Sequence, residues 1–121
     1  MDELIGRLVA KVGIDRPTAE KAVAIILDFL RQEGPPSEVQ ALFDKMPGAQ
    51  ALAQQGDSGG GGVGGGMGGI MGAGSKMMAA GLGMEQVQAV TREVIGFARE
   101  TAGEDAIGAI VGAIPGLSQF V

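Results

Sequence analysis

Residues 13–53, GIDRPTAEKAVAIILDFLRQEGPPSEVQALFDKMPGAQALA, lie without a gap over residues 81–121, GLGMEQVQAVTREVIGFARETAGEDAIGAIVGAIPGLSQFV, when the chain is slid along itself by 68 positions. The identities are Gly13/Gly81, Phe29/Phe97, Arg31/Arg99, Ala41/Ala109, Pro47/Pro115 and Gly48/Gly116. Between them apolar residues meet apolar residues: Ile14/Leu82, Ala19/Val87, Ala22/Val90, Ile26/Val94, Leu27/Ile95, Val39/Ile107, Leu42/Ile110, Phe43/Val111, Met46/Ile114 and Leu52/Phe120. A shared apolar register and a shared Pro-Gly break together argue for an internal duplication.

Each unit reads as helices. Leu4, Ile5, Leu8, Val9 and Val12 recur at spacings of three and four, which predicts an amphipathic helix over 2–12, capped by Asp2 and ended by Gly13. A second helix is expected from near Pro17, with Asp15 or Arg16 in the capping region, to Gln32 or Glu33, where Gly34-Pro35-Pro36 stops it. Ala19, Ala22, Val23, Ile26, Leu27 and Leu30 form its apolar face. Ser37 and Gln40 make a capping-box pattern that opens a third helix over 38–46, followed by the Pro47-Gly48 break and an apolar turn over 49–53. The second unit repeats this as helices over 84–101 and 106–114, with Gly103 between them, Asp105 opposite Ser37, and a terminal apolar turn ending in Phe120-Val121.

Between the units, residues 56–75 hold long glycine runs interspersed with Val63, Met67, Ile70 and Met71. Glycine loses the most backbone entropy on ordering, so this stretch is expected to be a flexible linker spanning about 25 Å by random-coil scaling, one that lets the units fold together or swap between chains. The expected fold is therefore all-α: a first helical unit over 1–55, a linker over 56–75 and a second helical unit over 76–121, packed as a small helical bundle. Units of this size are marginal alone and need a shared core or a partner.

Composition narrows the chemistry. The 121 residues include no Cys, His, Trp or Tyr, which removes thiol nucleophiles, imidazole acid/base pairs, soft metal sites and most base-stacking platforms. The net charge is −5, from 14 acidic against 9 basic side chains without a basic stripe, so nucleic acid has no electrostatic footprint here. The amino terminus starts with Asp2 and Glu3 where a secretory signal would carry Lys or Arg, and with the absence of Cys this gives a cytoplasmic expectation.

Motifs that could carry chemistry have simpler readings beside them. The run over 64–69 formally satisfies G-x-G-x-x-G, as any glycine run does, and no strand precedes it. Residues 69–76 approach a P-loop, but Ser75-Lys76 stand in the wrong order for phosphate and Mg²⁺, and as an adjacent Ser/Lys pair they lack the positioning of a nucleophilic site. Glu100, Glu104 and Asp105 could offer oxygens to a hard cation, yet acids at a helix start are favoured by its dipole. Lys76 is the single charge from Gly59 to Gly83, and Gly62/Gly66 and Gly68/Gly72 are G-x-x-x-G pairs of the kind that pack membrane helices. Against insertion stand glycine's weak hydrophobicity and low helix propensity. Gly108 and Gly112, one turn apart beside Ile107 and Val111, could admit a close helix contact, either with the first unit or with a second copy. Met67, Met71, Met77, Met78 and Met84 offer adaptable apolar surface for a groove or for core gaps.

The opening Met-Asp2-Glu3-Leu4-Ile5, the run Asp44-Lys45-Met46-Pro47-Gly48-Ala49-Gln50, the Gly/Met-rich middle and the closing AIPGLSQFV over 113–121 resemble a group of short bacterial helical proteins without an established activity. The resemblance spans both units and the linker; it implies the architecture and contributes nothing to mechanism. The functional expectation is a non-enzymatic structural or protein-interaction module without cofactor, metal or small-molecule substrate, its partner a protein or a second copy of itself, with Ile107, Gly108, Val111 and Gly112 as the helix-contact residues. The alternative from a different class is a membrane-associated protein acting through residues 59–83.

Overall fold

The computed structural model describes residues 2–46, 48–53 and 69–114. Every regular element among them is helical: α1 (Asp2–Val12), α2 (Arg16–Glu33), α3 (Pro36–Lys45), a short α4 (49–53), α5 (Gly69–Ala79), α6 (Met84–Ala102) and α7 (Glu104–Ala113). The all-α reading holds. Pro47, the linker residues up to 68, and the closing residues 115–121 with the expected terminal turn lie outside the described residues, as do the pairings of Pro47 with Pro115, Gly48 with Gly116 and Leu52 with Phe120.

The first helix keeps its expected bounds, but Asp2 is its first helical residue rather than its cap, and Val9, expected on the apolar face, is exposed at 38%. Asp2 and Glu3 sit in the first turn and Lys11 in the last, matching the helix dipole, while Leu4, Ile5 and Leu8 are buried. Gly13 then turns the chain at φ 81°, in the left-handed region, and Gly81 does the same at φ 109° before α6. α2 ends where the backbone N–H of Gly34 donates to the Leu30 carbonyl at 2.8 Å.

Three further expectations need correction. The Ser37–Gln40 capping box does not form: α3 starts at Pro36, with Pro35 as its N-cap and no side-chain cap, and Gln40 donates instead to Asp44 at 3.1 Å. Proline at the first helical position has its φ preset and no N–H to satisfy, so the helix starts before Ser37 can cap it. α7 likewise starts two residues early, at Glu104, with Gly103 as N-cap and no side-chain cap from Asp105. The third correction concerns 69–75, expected to be linker, which belongs to α5. Three glycines, Gly69, Gly72 and Gly74, lower its propensity, but burial of Ala73 and Met77 in the core supplies the tertiary packing that overrides it.

The helices interleave across the two halves. α1 packs on α2 and on α6; α5 packs on α6 and on α2; α3 meets α7, and α2 meets α6. One core results, joining Leu4, Leu8, Leu27, Leu30 and Leu42 to Met77, Val90, Val94, Ile107 and Ile110, all 0% exposed. Residues 68 apart occupy like places. α2 and α6 start at 16 and 84 and α3 and α7 at 36 and 104, while Ala19/Val87, Ala22/Val90, Ile26/Val94, Val39/Ile107 and Leu42/Ile110 are buried on both sides. The chain leaves α3 at Met46 (φ −116°, ψ 91°) and α7 at Ile114 (φ −105°, ψ 112°) with nearly the same backbone geometry.

Candidate functional site

α7 presents two different sides. Its inner side is fixed by Ile107 and Ile110, both 0% exposed, and by Val111, half-buried against the core. Its outer side carries Gly108, Ala109, Gly112 and Ala113, all exposed, two turns of helix on which no side chain extends beyond a methyl group. The structure therefore separates the four expected contact residues: Ile107 and Val111 belong to the core, while Gly108 and Gly112 face outward.

Among the described residues nothing lies within 4 Å of a Cβ built at either glycine, so neither is required by a close contact with the first unit. The corresponding face of α3 is Gln40, Ala41, Asp44 and Lys45, an ordinary polar surface with its own Gln40–Asp44 hydrogen bond. Exposed glycine in a helix interior costs about 1 kcal/mol relative to alanine, and packing among the described residues does not demand it.

A second feature, invisible to local pattern, joins α1 to α6. The Arg7 guanidinium donates to both oxygens of Glu100, at 3.0 and 3.3 Å, and lies 5.4 Å from the centroid of the Phe97 ring. Glu3 stands 3.9 Å from Arg7 on the same helix, and Lys11 reaches Glu93 at 3.6 Å. The Arg7 hydrogen bond lowers the Glu100 pKa from its ordinary value, and the same contact raises that of Arg7. Two ion pairs and a ring face thus hold the first helix of one half on the second helix of the other.

The remaining candidates resolve as follows. Glu100 is engaged with Arg7, while Glu104 and Asp105 sit in the first turn of α7, where the dipole favours them. Residues 69–76 form continuous helix, where a phosphate cradle needs a loop. Ser75 and Lys76 are exposed on that helix. The glycine run over 64–68, Gly62, Gly66 and Met67 lie outside the described residues. Met77 is core, and Met78 and Met84 are exposed at 50% and 63%. Asp28 is 2% exposed, and its oxygens accept from Arg31 and Gln32, each at 2.7 Å. A buried carboxylate supplied in this way from its own helix is already satisfied.

No protein-family model matches this chain, and no curated protein and no solved structure matches it. Function is therefore argued from the residues alone.

Proposed function

We propose that this chain is a non-enzymatic structural and protein-interaction module built by duplication of one helical unit, and that the outer face of α7 is its contact surface for a helix of a second copy. One observation carries the reading: Gly108 and Gly112 are exposed helical glycines with open space around them, on a face whose counterpart in α3 is polar. Glycines one turn apart let two helix backbones approach closely, and a two-fold contact uses the same patch on both partners.

The duplication is supported by the 68-residue correspondence of helix starts, buried positions and turn glycines. The resemblance to the group of short bacterial helical proteins belongs to the same proposal and rests on the motifs quoted above. The competing reading, membrane association through residues 59–83, loses ground at α5, where Ala73 and Met77 are committed to the core. Among the described residues no helix is long and apolar enough to cross a membrane.

Sedimentation velocity on the wild type and on Gly108→Leu/Gly112→Leu tests the contact. Wild-type protein is expected to associate with rising concentration, and the double variant to sediment as a monomer with undiminished helicity. A wild type that stays monomeric, or a variant that associates equally well, would remove α7 as the contact surface.

A further inference from the structure

The helix pairings give each half of this molecule a partner that it does not itself contain. α1 rests on α6 and α5 rests on α2, so the first helix of each half covers the second helix of the other, and α3 meets α7. Leu4 and Leu8 on one side and Met77 and Ile110 on the other are all fully buried in the shared core. Residues 2–53 and 69–114 thus present complementary surfaces, and every copy of the chain carries both.

We infer that the interface between the halves is a recognition surface for a second copy of this chain, which occupies it by reciprocal exchange of halves. Two chains that trade their second halves rebuild every helix pairing of the closed form twice, with no new interface and no altered side chain. What opposes exchange is the covalent tether. A short tether gives an effective concentration on the order of mM, so the closed monomer prevails in dilute solution and exchange competes as the chain concentration approaches that value. This inference is independent of the outer face of α7: its surface is the buried interface, to which α7 gives its inner side, and Gly108 and Gly112 take no part in it.

The α1–α6 ion pairs supply the test, because they cross between the halves at exposed positions: Arg7 with Glu100 and Lys11 with Glu93. One full-length variant carries Arg7→Glu and Lys11→Glu, and the other carries Glu93→Lys and Glu100→Lys. Each alone sets like charges against each other, in the closed monomer and in its own exchanged dimer alike. A mixed exchanged dimer is matched at every α1–α6 pair, since one interface pairs the two altered halves and the other pairs the two unaltered halves.

One variant is labelled with ¹⁵N, the two are refolded together from denaturant at about 1 mM, the tether's effective concentration, and masses are read by native mass spectrometry. The expected product is a dimer of twice the 12.1 kDa chain, with the mixed species outnumbering the two like-with-like dimers together by roughly ten to one, where random pairing gives one to one, as four relieved mismatches at exposed sites imply. Neither variant has to fold alone for this to be read, because the mixed species restores both ion pairs between α1 and α6. Monomers only, or dimers in which the mixed species makes up the half that random pairing gives, would overturn the inference. Random pairing would still leave the α7 contact standing, since that surface is unaltered in both variants.

Discussion

A methyl group added at Gly34 would lie 2.7 Å from the Leu30 carbonyl oxygen and 2.9 Å from the Val39 Cγ2. The first neighbour is backbone and cannot give way cheaply, so Gly34→Ala is expected to lower stability by about 1–3 kcal/mol in urea denaturation. The opposite sign is expected at Gly108 and Gly112, where an alanine meets open space on an exposed helix: each Gly→Ala change should raise stability by about 1 kcal/mol. Glu100 adds a pH dependence. Its pKa is lowered in the folded state by Arg7, so its contribution is present above the ordinary glutamate value and is lost as pH falls through the lowered folded value. The melting-temperature difference between wild type and Glu100→Gln should therefore be largest near neutrality and vanish well below pH 4, about the ordinary carboxylate range. The glycine breaks at Gly13, Gly34 and Gly103 were legible in the sequence, because glycine beside an apolar period marks a helix end. The Arg7–Glu100 pair was not, because its members lie 93 residues apart and only the packing of α1 on α6 brings them together.

Among the helices, α2, α3, α6 and α7 were legible because their apolar residues keep a helical period on a face that is then buried; the ends of α3, α6 and α7 fell within one residue of expectation, and the larger errors were at the starts of α3 and α7, where a preset proline and Gly103 displaced the expected caps. α5 was missed for a physical reason. Gly69, Gly72 and Gly74 make it a poor helix on propensity, and its order comes from Ala73 and Met77 meeting the core, which no local pattern reports. The two readings of this segment differ sharply in what they predict for Ala73→Asp, which lies within the expected linker. A carboxylate placed where the residue is 5% exposed against the packed core should cost about 3 kcal/mol or more, whereas in a linker the same change would stay within about 0.5 kcal/mol. Thermal and denaturant unfolding of that single variant separates them.

At the scale of the whole molecule the two halves share one core, built from helices that reach across to each other, and neither half holds a complete set of pairings. The 68-residue correspondence was visible as a register in the sequence. That it places the first helix of each half on the second helix of the other was not, since sequence identity fixes which elements correspond and not which ones touch. The interdependence of the halves is the central claim, and it makes unfolding a single cooperative event. Hydrogen exchange on the full-length chain, comparing wild type with Leu42→Ala, tests it most directly. Leu42 is fully buried in α3, and its truncation should reduce amide protection in α2 and in α6 by the same factor, corresponding to about 2–5 kcal/mol. A loss confined to residues 2–53, with α6 and α7 still protected at wild-type levels, would contradict the account.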